Sequence, residues 1–341
     1  MLKKLFHTRR LLYISSIVLL SACNNEIDVI DVYKETPIIY GLLNAYDSTQ
    51  YVRVQKAFLG EANALLMAQH PDSLYYDTAD VSVTLIKSKN NQVIDSLKLN
   101  PTLEILKDEG LFANYPHIMY KSDGMKLLDP NASYSLYFYN KKSGITITAQ
   151  TPIVKQLTLY PLLPSPLPDP SSTINFASDQ PMKISVVAPA NGKFLSLTIR
   201  MKYIELFVGT SQSQEKTLNY NLPVFVSTNT VGGQIFEYEI YGQAFYQFIG
   251  RSVKNDPSIY RESTKFRMDF IFTVGAEEFY TYYLINKPST SINDNIPDYT
   301  NLSSGKGLFS SRSTRIYPDK ELNNASRDSL IYGLFTRGLF H

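Results

Sequence analysis

The chain has 341 residues, 44% of them hydrophobic and 19% charged, and a formal net charge of +2. Near-balanced charge supplies no whole-molecule field for a nucleic-acid backbone, and a single cysteine, Cys23, excludes a fold held together by disulfides. Stability must come from buried apolar surface. The 25 Tyr and 18 Phe, with no Trp, point to half-buried strands, where a ring packs while a tyrosine hydroxyl reaches water.

Lys3, Lys4, Arg9 and Arg10 precede an apolar run from Leu11 to Leu20 broken only by Ser15 and Ser16, the basic and apolar regions of an export signal. That run is about half the roughly 20 residues a helix needs to cross a bilayer, so a permanent span is not expected. Leu20-Ser21-Ala22-Cys23 resembles the lipobox of bacterial lipoproteins. The resemblance implies cleavage after residue 22 and acylation of Cys23. Several acyl chains, at roughly 0.8 kcal/mol per buried methylene, make a stable anchor. Loss of the four leader cations takes the formal charge from +2 to −2. Asn24 stands where an aspartate would resemble an inner-membrane retention signal, so the outer membrane is the expected location. Glu26, Asp28 and Asp31 resemble the surface-export signals of Bacteroidetes lipoproteins and equally suit a solvated tether over residues 23–35, which leaves cell surface and periplasmic face both open.

Pro37 to Ala45 and Gln50 to Phe58 read as a hairpin, the second arm alternating Tyr51, Arg53 and Gln55 with Val52, Val54 and Lys56. Glu61 to Gln69 is rich in helix formers and stopped by His70-Pro71. Strand patterns follow at Val81-Val83-Leu85, Val93-Leu97-Leu99, Tyr134-Leu136-Phe138 and Ile145-Ile147-Ala149, the last two joined by a Lys141-Lys142-Ser143-Gly144 turn. About seven short strands over residues 36–152 predict a β-sandwich of immunoglobulin-like architecture without its usual cysteines or tryptophan. Pro152, Pro161, Pro164, Pro166, Pro168 and Pro170 then predict a stiff interdomain linker over 153–172 that stays out of any sheet.

From 173 to 341 the pattern predicts a mixed α+β domain. Ile184-Ser185-Val186, Phe194 to Leu206 and Asn221 to Ser227 read as strands, with a turn at Ala190-Asn191-Gly192-Lys193. Gln234 to Ile249 reads as a helix, because Tyr241, Phe245, Phe248 and Ile249 fall at i, i+4, i+7 and i+8. Phe266, Met268, Phe270 and Phe272 mark a strand, and Phe279, Tyr282 and Tyr283 a second short helix.

Taken in order, the lipobox, Pro37-Ile38-Ile39-Tyr40-Gly41-Leu42-Leu43, Val52-Arg53-Val54 with Phe58, Tyr134-Ser135-Leu136, Ala149-Gln150-Thr151-Pro152, and Pro297-Asp298-Tyr299-Thr300-Asn301-Leu302 followed by Gly305-Lys306-Gly307-Leu308-Phe309 resemble an uncharacterised family of Bacteroidetes outer-membrane lipoproteins. The resemblance implies an N-terminal immunoglobulin-like sandwich and a C-terminal α+β domain. It also implies a partner, since such proteins are often encoded beside TonB-dependent receptors. It carries over no catalytic residue. The Gly60 to Asp80 insertion and the basic tail after Phe309 depart from the pattern.

Catalytic constellations are missing. Beyond the leader the histidines are His70, His117 and His341, with no metal-ligand spacing, and no G-x-S-x-G elbow is present. Gly305-Lys306-Gly307 lacks the spacing of a phosphate loop and reads as a turn. Glu277-Glu278 suit the positive end of a helix better than an acid/base pair. Asn293-Asp294-Asn295 with Asp298 offer oxygen ligands for calcium, but an EF-hand's terminal glutamate is absent and a solvated loop is the simpler reading. Arg312, Arg315, Lys320, Arg327 and Arg337, interspersed with Asp319, Glu321 and Asp328, read as a solvated face. The expectation is a non-catalytic lipid-anchored surface protein with no cofactor, serving as a ligand-binding or accessory partner of a TonB-dependent transporter. A glycoside hydrolase using two scattered carboxylates and a structural adhesin are the alternatives.

Overall fold

The computed structural model describes residues 35–57, 64–124, 127–161, 165–286 and 299–341. The lipobox Leu20, Ser21, Ala22 and Cys23, the tether up to residue 34, and the Asn293-Asp294-Asn295 loop with Asp298 lie outside them. The protein is mostly β, 42% strand and 14% helix, with one large mixed sheet and one small three-stranded sheet. No helix among the described residues is long and apolar enough to cross a membrane.

Among the described residues, seven strands fall before residue 153: β1 (Pro37–Leu43), β2 (Tyr51–Lys56), β3 (Val81–Lys89), β4 (Gln92–Thr102), β5 (Met119–Ser122), β6 (Ser133–Asn140) and β7 (Thr146–Pro152), in spatial order β1-β2-β5-β4-β3-β6-β7. The hairpin of β1 and β2 forms as its alternation requires. Ile39, Leu43, Val52 and Val54 enter the core, while Tyr40, Leu42, Tyr51, Arg53 and Gln55 stand on the other face, Tyr40 directly opposite Arg53. Strand β4 changes partner along its length: Gln92 to Leu99 pair with β3, and Leu99 to Thr102 with β5.

The later strands are β8 (Thr158–Leu159), β9 (Met182–Val187), β10 (Phe194–Phe207), β11 (Ser213–Asn221), β12 (Phe225–Val226), β13 (Ile235–Ile240), β14 (Ile259–Tyr260), β15 (Arg267–Gly275) and β16 (Lys306–Lys320). Strand β16 joins the two halves. Its residues Lys306 to Ser311 run parallel to β1, and Arg312 to Lys320 run antiparallel to β15. Leu302 and Phe309 therefore belong to the core under β1–β7, whereas Tyr317 belongs to the second core. The turn into β16 is specific. Gly305 has φ 81° and Gly307 φ 125°, and a Cβ on Gly307 would stand 1.9 Å from Ile39 O. Asn301 braces it, its side-chain amide donating to Phe309 O at 2.6 Å and its Oδ1 accepting from Phe309 N at 2.9 Å.

Several expectations need correction. The stretch 153–172 is no free spacer: Ile153, Val154, Leu157 and Leu167 are buried, and β8 pairs with β9, because apolar residues between the prolines have a core to enter. Residues 235–240 form β13 rather than helix, and the helix starts at Gly242. The polar Ser213–Asn221 is a strand the sequence hid, since it lies at the sheet margin with neither side fully covered. A strand and the helix Asn324–Tyr332, capped by Asn323 Oδ1 accepting from Ser326 N, replace the expected solvated basic tail. Pro71 opens a helical turn, Pro71–Leu74, after the equally short Ala64–Met67, as its fixed φ permits at a first helical position.

The second core packs Phe245, Tyr246 and Ile249 of the helix Gly242–Ser252 onto the sheet, with Phe176 and Phe245 centroids 4.4 Å apart. Lys320 is buried there, its ammonium donating to Pro166 O at 3.2 Å and to Asp169 O, which pins the proline-rich stretch. At its far end Arg261 Nε and an Nη donate to the same Glu205 oxygen at 2.9 and 2.6 Å, the two residues being 2% and 7% exposed.

Buried tyrosines make stability fall at high pH. Burial pushes the Tyr120 and Tyr246 hydroxyls up to about 12 from the ordinary 10.0, so the native state holds protons that the unfolded chain releases. Their contribution is complete below pH 10 and is lost as pH rises through about 12. Urea midpoints measured between these limits should decline, and Tyr120→Phe should decline less steeply than the wild type.

Candidate functional site

The outer face of β16, β1, β2 and β5 carries the candidate site. Two-residue periodicity sets Leu308, Ser310 and Arg312 of β16, Tyr40 and Leu42 of β1, Tyr51, Arg53 and Gln55 of β2, and His117 and Met119 at β5 on this face, away from the core. The helix Glu277–Ile285 lies over part of it and contributes Phe279 and Tyr282. A cleft of about 490 Å³ results, lined also by Asp47 and Thr49. It adjoins a second cleft of about 460 Å³ through their common residues Tyr40, Arg53 and His117, where Lys56, Tyr75, Lys107 and Phe112 continue the lining.

Aromatic packing fixes the cleft floor. Tyr40 and Tyr282 meet edge to face with centroids 6.0 Å apart and hydroxyls 3.4 Å apart, and the Arg53 guanidinium lies 4.8 Å from the Tyr40 ring centre. Lys107 donates to Phe112 O at 3.3 Å and Ala113 O at 3.1 Å. His117 Nδ1 lies 2.9 Å from Ile105 O; a carbonyl only accepts, so Nδ1 is the donor.

Electrostatically the cleft is one-sided. Arg53, Arg312, Lys56 and Lys107 line its two lobes, against a single carboxylate among the described residues, that of exposed Asp47. Neither the Arg53 nor the Arg312 side chain makes a hydrogen bond or ion pair with a described residue, and the Nε of each is buried without an acceptor among them. An orphaned buried donor costs about 1–3 kcal/mol, and Arg53 and Arg312 bring two such Nε atoms to one cleft.

Elsewhere, the residues singled out in the sequence serve structure. Glu278 accepts from Ser310 Oγ at 3.3 Å in the first turn of its helix, beside Glu277. Arg315 packs on Tyr317 and donates to Leu157 O, Arg327 lies 3.9 Å from Glu321, His341 stacks on Tyr260, His70 and Arg337 are exposed, and Gly305-Lys306-Gly307 is the strand entry. A separate cavity of about 650 Å³ holds Glu35, Asp72, Asp77 and Asp80. Glu35 accepts from Asn140 and Ser143, Asp77 from Ala79 N, and Asp80 pairs with Lys141. Among the described residues no group of three or more His, Cys, Asp or Glu is placed to hold a metal ion.

The fold and site define a mostly β protein with two cores, a shared strand and a basic aromatic cleft. No protein-family model and no curated protein matches the chain. Among solved structures it is similar to the C-terminal globular domain of an oligosaccharyltransferase from Pyrococcus abyssi, at 10% identity and a TM-score of 0.26 over 70% of this chain and 47% of that one, so it spans about half of that domain's length. It is also similar to a chain of a cytokine receptor complex, at 10% identity and a TM-score of 0.20 over 84% of this chain and 98% of that one. Scores this low bear on neither fold nor function.

Proposed function

We propose that this is a non-catalytic, lipid-anchored outer-membrane protein that presents the cleft of Tyr40, Arg53, Arg312 and Tyr282 to a ligand, as accessory to a TonB-dependent transporter. The observation that carries the binding reading is the convergence, with aromatic rings in one open cleft, of two guanidiniums that have no acceptor among the described residues. Anchoring rests on Leu20-Ser21-Ala22-Cys23 behind a short apolar run. The partner reading draws on the 103–118 loop, which exposes Leu106 at 88% and Tyr115 at 73% together with Leu111 and Phe112, beside the exposed Leu65 and Leu66 to which Ala113 N is tied through Ala68 O. Apolar side chains gathered in this way on a loop mark contact surfaces. They also favour binding over an adhesin's mere spacer, and the carboxylates engaged around Asp77 and Asp80 speak against a glycosidase.

The N-terminal unit is read as an immunoglobulin-like sandwich. Its order β1-β2-β5-β4 and β3-β6-β7 follows the A-B-E-D and C-F-G sheets of that architecture in chain order, and the partner change of β4 links the two.

Fractionation of cells making a tagged full chain tests the proposal. The wild type should sediment with outer membrane and Cys23→Ala should not. Solubilised wild type should retain a TonB-dependent receptor that Leu106→Asp/Leu111→Asp loses at unchanged thermal midpoint. A wild type that is soluble, or that retains no membrane protein, would overturn the reading.

A further inference from the structure

We infer that the cleft takes an acidic saccharide, its carboxylate groups neutralising Arg53 and Arg312 while its ring faces lie against the tyrosine and phenylalanine side chains; this rests on the binding reading above and names the ligand class. The charge argument comes first. Two partly buried guanidiniums without a hydrogen bond or ion pair to any described residue flank a space whose one acidic lining residue, Asp47, is exposed. Partial burial raises the value of a counter-charge, because the dielectric there is lower than in water and solvent screens less. Glu278, on the roofing helix, accepts from Ser310 Oγ and makes no ion pair with Arg312. A ligand anion would supply the missing counter-charge, and Arg favours planar carboxylate because its donors match that group's two oxygens.

The second step separates a saccharide from a peptide. An extended peptide docks most readily by adding to an unpaired strand edge, where backbone hydrogen bonds supply affinity. Here β1 is paired on both sides, with β16 and β2, and β2 is paired with β1 and β5, so this face offers side chains and no backbone ladder. What it does offer is rings from Tyr40, Phe279 and Tyr282, amide and hydroxyl groups from Gln55 and Thr49, and cations. That set suits pyranose rings, which present an apolar C–H face, hydroxyls at the rim and, in a uronate, one carboxylate per ring. The second lobe, with Lys56 and Lys107, lets a chain of several units continue past Arg53.

The test uses the detergent-solubilised full chain and calorimetry with three probes: oligogalacturonate, a neutral galacto-oligosaccharide of equal length, and a poly-glutamate peptide. Oligogalacturonate should bind, and binding should weaken in about 0.5 M salt, where the Debye length shrinks below the span of the cleft. Arg53→Gln and Arg312→Gln should each raise Kd about tenfold or more, the loss of one charge-assisted contact. Tyr282→Ala should weaken it too, by removing one ring from the cleft. An unchanged thermal midpoint checks folding in each variant. Equal binding of the neutral oligosaccharide, insensitive to both arginine variants, would overturn the inference while leaving the cleft as a binding site. Arginine-dependent binding of poly-glutamate alone would overturn the saccharide class. Failure of all three probes with the fold intact would overturn the inference outright, and the receptor pull-down then judges the broader reading independently.

Discussion

Phe309→Ala should cost about 3–5 kcal/mol, the usual loss for emptying a buried phenylalanine site. Phe309 is fully buried in the core under β1–β7, yet it comes from the C-terminal strand, and its ring lies against Gly41, where even a Cβ would stand 3.0 Å from it. The strand that delivers it continues into the second core through Tyr317. Unfolding by urea should therefore stay a single transition in wild type and variant, with the midpoint moved and the slope unchanged. Two resolved transitions, only one of them shifted, would show that β16 does not couple the cores.

Removing one member of the Arg261–Glu205 pair should cost as much. Both residues are nearly inaccessible, and the remaining charge would be left inside without its partner, a loss of about 3–5 kcal/mol. Lys216 at 4.0 Å from the second Glu205 oxygen cannot replace the two Arg261 donors. Arg261→Met and Glu205→Leu should each destabilise strongly, whereas the double variant should recover most of the loss, since apolar side chains of similar volume avoid desolvating any charge. Additive losses in the double variant would mean that the pair is not the source of the effect. Arg261 also accepts from His341 N through its carbonyl and donates to Leu339 O, so the single variants should loosen the last residues first, visible as faster amide exchange there.

The strands with clean alternation were legible without coordinates. In β2, the sequence Tyr51-Val52-Arg53-Val54-Gln55 already assigns Arg53 to the face opposite Val52 and Val54, and the structure adds what alternation cannot supply: which strands lie beside it. The cleft was hidden for that reason. Arg312 and Arg53 are 259 positions apart in the chain and share a face only because β16 pairs in parallel with β1, a contact of long sequence separation that no local pattern encodes. The basic residues after Phe309 looked solvated by composition, but serines on both faces, with Ser310, Ser311 and Ser313 buried, let that segment run through the middle of the molecule. Residues 235–240 misled in the opposite way. Their Phe236-Tyr238-Ile240 alternation abuts a helical repeat beginning at Tyr241, whose stronger period masks it.

The parallel pairing of β1 with β16 has a mechanical consequence. If the chain is held by lipid at its N-terminal end, tension from the membrane enters at Pro37, the start of β1, while resistance from the second core reaches β16 at its C-terminal end. The two strands point the same way, so these forces draw them past each other lengthwise. The inter-strand bonds between Ile38 and Leu43 and their partners would share that load together instead of parting one at a time as in an unzipping hairpin. The arrangement is a shear clamp, and it sits beside the cleft, so drag on a captured polymer would be borne by the strands that hold Tyr40 and Arg312 in place.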